Sequence, residues 1–377
     1  MAIERKVAIV TGANSGVGYS IIQRLVDESP FPLTIILACR NKSRAQEALT
    51  SLQQHFTSSS SSSSSKTRTT PELKIELVDV GSATSVLAFN ARILAQHNRV
   101  DFLFCNAGIL PSVGLMWGKI LTDMFKAPMD LVTRSDVLIK GLEDVLSGTE
   151  EEPGRVIWTG SLTAEKASFR IDDWQGLEAV QPYESSKWVT DLLAIRLNEQ
   201  WAGSSDEDVT SVHSVGGDAS SAASSGSETG GVSTSTRRVT RSASKSVLVS
   251  NPTTPTTTTP RKHIISLSTQ PGVVASGIGG LAAWIVLLRI ALHYVVRFFG
   301  ERNQTITGHH GAQSNVYVAL KQPVEKLDYR YKYGSCVRNL GQEFLKVERV
   351  VEYERGQAEV VVGRLEALRQ EVLAKKE

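Results

Sequence analysis

Hydrophobic positions along the chain fall into two periods. Short apolar runs of strand length stand at Val7 to Val10, Leu33 to Ala38, Leu73 to Val78, Val100 to Phe104, Arg155 to Gly160 and His263 to Ser268. Helical spacing fills the intervals: Ile21, Ile22, Leu25 and Val26 after the first run, Ser43 to Phe56 after the second, Leu87, Ile93 and Leu94 after the third. Leu192, Leu193, Ile195 and Leu197, leading to Trp201, give the interval after the fifth run the same character. Strands alternating with helices predict an α/β fold, a Rossmann-type doubly wound and mostly parallel sheet with helices on both faces. Between the fourth and fifth runs Leu131, Val132, Val137, Leu138, Leu142 and Val145 make only a broken stripe, so no ordinary apolar helix is expected there. Beyond the sixth run, Thr305 to Leu320 reads as a helix and a last strand carrying Val316, Val318 and Leu320, and Ala358 to Lys376 as an exposed charged helix.

Two segments break this pattern. Ser58 to Ser65 is unbroken serine, and Gly203 to Lys262 is dominated by Ser, Thr, Gly and Pro. Neither can bury apolar area, so residues 57–70 and 203–262 are expected to be disordered insertions in loops of a single domain formed by 1–202 and 263–345, with 346–377 as a charged C-terminal helix. A third segment, Ile278 to Phe299, is long enough to span a bilayer by count. Arg289, His293 and Arg297 make a basic stripe opposite Trp284, Leu288 and Val295, which favours an interfacial amphipathic helix over a spanning one; a lid over a substrate pocket is the competing reading.

Composition narrows the classes. Of 377 residues 41% are hydrophobic, enough for a buried core, and the net charge of +2 gives no basic face for nucleic acid. Cys39, Cys105 and Cys336 are odd in number and lack metal spacing, which reads as reduced thiols in the cytosol. The seven histidines show no ligand spacing beyond the adjacent His309 and His310, so no metal is expected. A first strand this close to Met1 leaves no room for a cleaved signal peptide.

The candidate chemistry begins where the first strand runs into Thr11-Gly12-Ala13-Asn14-Ser15-Gly16-Val17-Gly18 and then a helix. Strand, glycine turn and helix together let a pyrophosphate approach bare backbone at a helix N-terminus, so Gly12, Asn14, Ser15, Gly16, Val17 and Gly18 are candidate cofactor contacts. An acid about 20 residues on would hold the ribose hydroxyls of NAD, but Arg40 ends the second strand instead. Its guanidinium suits a 2′-phosphate and points to NADPH; a solvated arginine opening the next helix is the alternative. Asp79, after the third strand, can accept from an adenine amino group or cap the helix after Gly81. Ser161 stands at the carboxyl end of the fifth strand, where open parallel sheets bind ligands. Tyr183 and Lys187, at i and i+4, share one helix face. There Tyr183 can pass a proton to a carbonyl oxygen, Lys187 is expected to lower the phenol pKa, and Ser161 can hold the oxygen.

The order TGxxxGxG, Asn106-Ala107-Gly108, Ser161 and YxxxK resembles the short-chain dehydrogenase/reductase family. The resemblance implies that Asn106 packs against the adenine ribose and steadies the sheet. It implies that Lys187 also holds the nicotinamide ribose. It further implies that Pro271, Gly272, Val274 and Ser276, standing where the family has PGxVxT, meet the nicotinamide carboxamide. Asp172-Asp173-Trp174-Gln175-Gly176-Leu177 and Pro182-Tyr183-Glu184-Ser185-Ser186-Lys187 are similar to the family's 3-keto sterol reductases. That branch implies NADPH-dependent reduction of a sterol 3-ketone to the 3β-hydroxyl during C-4 demethylation in ergosterol biosynthesis. It implies work beside a methyl oxidase, a decarboxylase and a scaffold protein, on the cytosolic face of the endoplasmic reticulum membrane or on a lipid droplet. One departure stands out: family members carry a relay asparagine between the NAG turn and the serine, and no asparagine stands between Gly108 and Ser161. Either a segment has been lost or the proton relay is built differently. Two rivals therefore accompany the sterol reading, a reductase of another lipophilic carbonyl and a catalytically impaired NADP-binding partner of the sterol complex.

Overall fold

The computed structural model describes residues 4–62, 70–108, 127–202, 262–275, 283–350 and 352–374. Eight strands make one sheet: β1 (Lys6–Thr11), β2 (Leu33–Cys39), β3 (Glu72–Leu77), β4 (Phe102–Cys105), β5 (Gly154–Thr159), β6 (Ile264–Gln270), β7 (Tyr331–Val337) and β8 (Glu343–Arg349). Their order is β3-β2-β1-β4-β5-β6-β7-β8, parallel throughout except for the antiparallel β7/β8 pair. The winding direction changes at β1, which pairs with β2 on one side and β4 on the other. That switch point opens a crevice at the carboxyl ends of the strands.

Helices cover both faces: α1 (Gly16–Glu28), α2 (Lys42–Ser62), α3 (Ala83–Gln96), α4 (Ala127–Leu146), α5 (Pro182–Trp201), α6 (Ala283–Phe298), the short α7 (Gly308–Gly311) and α8 (Gln313–Val316), and α9 (Arg355–Ala374). Side chains alternate across a strand, so β1 feeds two cores. Ile9 belongs to the core that α3, α4, α5 and α9 share, whereas Ala8 and Val10 belong to the one built with α1, α2 and α8. The doubly wound α/β architecture is as expected.

Several local expectations are corrected. The interval before β5 does hold a long helix, α4, with Val132, Val137, Leu138, Ile139, Leu142, Val145 and Leu146 buried. Its stripe looks broken because Ser135 and Asp136 occupy buried positions too. Gly141 permits the close crossing with α3, since a Cβ there would lie 2.0 Å from Asn90 Nδ2. On α3 itself Val86, Phe89 and Ile93 are buried, and Leu94 faces solvent at 44% exposure. Helix α2 continues into the serine tract as far as Ser62, because an established helix adds each serine at a cost of only about 0.5 kcal/mol. Residues 63–69 and 203–261 lie outside the described residues; Lys262, placed in the insertion by composition, is ion-paired to Glu143 at 2.8 Å.

The carboxyl-terminal third departs most. Tyr317–Lys321 is a π-helical turn rather than a strand. Arg155 explains its stability: Nη1 donates to the carbonyls of Val318 (2.6 Å), Ala319 (3.1 Å) and Gln322 (3.2 Å), which the widened turn leaves open. The last strands are instead β7 and β8, beyond the segment read as the last strand. Helix α9 is not exposed all round, because Ala358, Val361 and Leu365 are buried. Helix α6 has the expected two faces, turned opposite to a core helix: Arg297 is buried while Trp284, Leu288 and Phe298 are 67%, 63% and 65% exposed. No helix among the described residues is long and apolar enough to cross a membrane.

Candidate active site

The carboxyl ends of β1 and β4 form the first wall. Gly12 and Gly16 take φ of +67° and +59°, the left-handed region that favours glycine. Gly18 seats α1 on the turn, for a Cβ there would stand 2.4 Å from the Gly12 carbonyl oxygen and 2.6 Å from Asn106 Nδ2. Ser15, the N-cap of α1, makes no side-chain capping bond, and Ser15 and Gly16 are exposed beside half-buried Asn14 and Val17. First-turn N–H groups are thereby left to an anionic ligand. Asn106 holds the neighbouring loop: its Nδ2 donates to the Thr11 carbonyl at 3.0 Å, while the Asn106 and Ala107 N–H groups both donate to Thr11 Oγ1 at 3.0 Å.

Arg40 lies exposed just beyond β2, and the Asn41 side chain accepts from Arg44 N at 3.0 Å to cap α2. Asp79 does not cap α3. Its Oδ1 accepts from Gly81 N at 2.9 Å in a local turn, and Ser82 is the N-cap. Pro271, Gly272 and Val274 follow β6 in a loop pinned by residues 303–306: Thr305 Oγ1 donates to the Pro271 carbonyl at 2.9 Å, and Val274 bridges Ile306. Gly272 has φ +69°, and a Cβ there would meet the Asn303 carbonyl at 2.6 Å. Ser276 lies outside the described residues.

Between these walls stand Ser161, just past β5, and Tyr183 and Lys187 in the first turns of α5. Pro182 at the helix start fixes the entry of α5. Tyr183, Lys187 and Thr159 line one cavity together with Cys105, and α4 contributes Val132 and Ser135 to it. The Lys187 ammonium donates to the Thr159 carbonyl at 2.9 Å and stands 5.7 Å from the centre of the Tyr183 ring. Burial pushes Lys187 down to about 8, with Asp191 pulling up and Lys332 pushing down. The expected lowering of the phenol by Lys187 is corrected. Burial raises Tyr183 above its ordinary value, and the opposing influence is the hydrogen bond with Ser161. The lysine acts here on the β5 backbone rather than on the phenol oxygen.

Two charged residues escaped the sequence reading. Asp191 lies one helical turn past Lys187, where the spacing from Tyr183 could have flagged it; Lys332, on β7, carries no local signal.

The model for the short chain dehydrogenase family matches residues 6–214, more than half of the chain. The chain belongs to the short-chain dehydrogenase family. Within that family it is 25% identical over 375 residues to the 3-keto-steroid reductase/17-beta-hydroxysteroid dehydrogenase 7 of Rattus norvegicus, covering 92% of this chain and 90% of the relative. It is 27% identical over 392 residues to the 3-keto-steroid reductase erg27 of Aspergillus fumigatus, covering 89% and 79%. A solved structure of a putative uncharacterized protein from Mycobacterium paratuberculosis superimposes with a TM-score of 0.54 over 97% of this chain and 93% of that one at 15% identity, a likeness of fold.

Proposed function

We propose that this short-chain dehydrogenase uses NADPH to reduce the 3-keto group of a sterol intermediate to the 3β-hydroxyl during C-4 demethylation. The carrying observation is the convergence of Ser161, at the carboxyl end of β5, with Tyr183 and Lys187 in the first turns of α5, Lys187 being fixed on the Thr159 carbonyl, at the sheet edge that also holds the glycine turn. The names of the rat and Aspergillus relatives support the substrate class.

The cradle suits a dinucleotide. Gly12, Gly16 and Gly18 keep the turn free of Cβ atoms, the α1 N-terminus suits the pyrophosphate, and exposed Arg40 suits a 2′-phosphate. Asn106, Lys187 and the Pro271 to Val274 loop would hold the ribose and the carboxamide. When bound, the nicotinamide supplies hydride to the carbonyl carbon. Ser161 holds the carbonyl oxygen, and Tyr183 donates its proton to that oxygen as negative charge develops. A raised phenol pKa keeps Tyr183 protonated before reaction. Lys187, charged and fixed on the Thr159 carbonyl, holds the helix that carries Tyr183 against the strand that delivers Ser161.

The enzyme would work at the cytosolic face of the endoplasmic reticulum membrane or of a lipid droplet, beside the C-4 methyl oxidase and decarboxylase on their scaffold. The outward apolar face of α6 supports that location, since burying a side chain such as Leu288 or Phe298 among lipid tails is worth roughly 1.5–3 kcal/mol each.

Turnover of NADPH with a 3-keto sterol, by purified wild type and Tyr183→Phe, tests the reading. Sterol-dependent oxidation in the wild type, lost by roughly 10²-fold or more in the variant, is expected. Tight NADPH binding without turnover on any ketone overturns the enzymatic reading in favour of a non-catalytic partner. Turnover confined to non-sterol carbonyls overturns the substrate.

A further inference from the structure

Behind the catalytic residues lies a second ionic arrangement. Asp191 is fully buried on α5, directly beneath the end of β5: a Cβ on Gly160 would stand 3.3 Å from its Oδ1. That oxygen accepts from Ser268 Oγ of β6 at 2.5 Å. The other oxygen is ion-paired with the Lys332 ammonium, which reaches in from β7 and is itself largely buried. Lys332 also donates to the Ser161 carbonyl at 3.2 Å. Two lysines thus grip the turn that carries the catalytic serine, Lys187 on the Thr159 carbonyl and Lys332 on the Ser161 carbonyl, with one carboxylate between them.

Removing three charges from water is costly, and an arrangement that only stabilised the fold could be replaced by apolar packing at no loss. Its placement gives it another use. We infer that Asp191 and Lys332 are positioning residues for the reaction: Lys332 fixes Ser161 through its carbonyl, and Asp191 is the counter-ion that keeps the Lys187 ammonium charged. The inference rests on the reductase reading above. Burial disfavours the charged amine, the carboxylate of Asp191 opposes burial, and the ammonium of Lys332 limits that opposition. No other group that faces Lys187 carries a compensating negative charge among the described residues lining its cavity. That lining is Tyr183, Ser186 and Thr190 on α5, Cys105 on β4, Trp158 and Thr159 on β5, and Val132 and Ser135 on α4, with Asp191 one helical turn behind Lys187.

The geometry requires shifts of opposite sign. Removing the carboxylate in Asp191→Asn takes away the attraction and lowers the Lys187 pKa. Removing the ammonium in Lys332→Met takes away a repulsion and leaves Asp191 wholly to Lys187, which raises it. The intrinsic pKa of the Lys187 amine can be read without turnover, by trace acetylation with acetic anhydride over a pH series and mass spectrometry of the peptide that carries it. A downward shift of about one unit or more in Asp191→Asn and an upward shift in Lys332→Met are expected, with Lys332→Arg close to wild type. In turnover, the alkaline limb of kcat should move with the amine, and KM for NADPH should change less than kcat. Unchanged or same-direction shifts in the two variants overturn the inference. Should Lys332→Met not fold, Asp191→Asn and Lys332→Arg decide alone: an unshifted amine in the first, or a displaced one in the second, overturns it. Absence of turnover in wild type bears on the reductase reading, whereas the labelling bears on the ion arrangement.

Discussion

The ammonium of Lys187 donates to the carbonyl oxygen of Thr159 across 2.9 Å, tying the helix that carries Tyr183 to the strand that delivers Ser161. In the proposed mechanism this bond helps to hold the proton donor, Tyr183, in register with Ser161. It exists at full strength only while the amine is protonated.

Ketone reduction is therefore expected to lose rate with a midpoint at about 8, the pH to which burial depresses Lys187. Below that pH the ammonium is present and the rate is flat; above it the charge is lost and the rate falls toward roughly a tenth per unit. The kcat profile of the wild type from mildly acidic to strongly alkaline pH checks this. Lys187→Met should be slow throughout and should lack the limb.

Gly18→Ala places a Cβ 2.4 Å from a backbone oxygen that cannot move without opening the turn. About 1–3 kcal/mol of stability should be lost, together with at least tenfold in NADPH affinity. Gly16→Ala meets nothing within 4 Å and suffers only from its φ of +59°, at about 1–2 kcal/mol. Thermal unfolding and nicotinamide fluorescence titration of the two variants distinguish clash from strain.

Arg40→Asp should reverse the cofactor preference. Losing a charged hydrogen bond to a 2′-phosphate costs about 1.5–3 kcal/mol, roughly ten- to hundredfold in kcat/KM for NADPH. NADH should be affected little, because Arg40 is exposed and holds no part of the core. Equal loss with both cofactors would show that Arg40 does not read the phosphate.

Leu288→Ser with Phe298→Ser removes two outward apolar side chains from α6. Sedimentation with phosphatidylcholine vesicles should drop by about 10²-fold or more, from the roughly 1.5–3 kcal/mol that each burial provides. The melting temperature should stay within a degree or two of wild type, since neither residue is buried. Unchanged vesicle binding would remove α6 as the membrane contact.

Legibility followed the distance over which each signal acts. The glycine turn, the spacing of Tyr183 and Lys187, and the serine at a strand end are local, because strand, turn and helix periods are set by neighbours a few residues apart. Helix α4 was obscured by Ser135 and Asp136, which sit inside its apolar stripe; only the surrounding α3, α5 and α9 reveal that these polar positions are buried. Val316, Val318 and Leu320 alternate like a strand, yet the donors of Arg155, far away in sequence, hold that stretch as a widened helical turn.

The sequence by itself determined the alternating βα pattern and the glycine turn after the first strand, and it singled out Ser161, Tyr183 and Lys187 as candidates, since short-range periodicity and spacing suffice for these. Only the tertiary structure decided that the apolar face of α6 looks outward, that β7 and β8 complete the sheet, and that Lys332 meets Asp191 beneath Ser161. Those facts depend on which surfaces are buried against one another and on charges brought together across the sheet, and neither is written in the order of neighbouring residues.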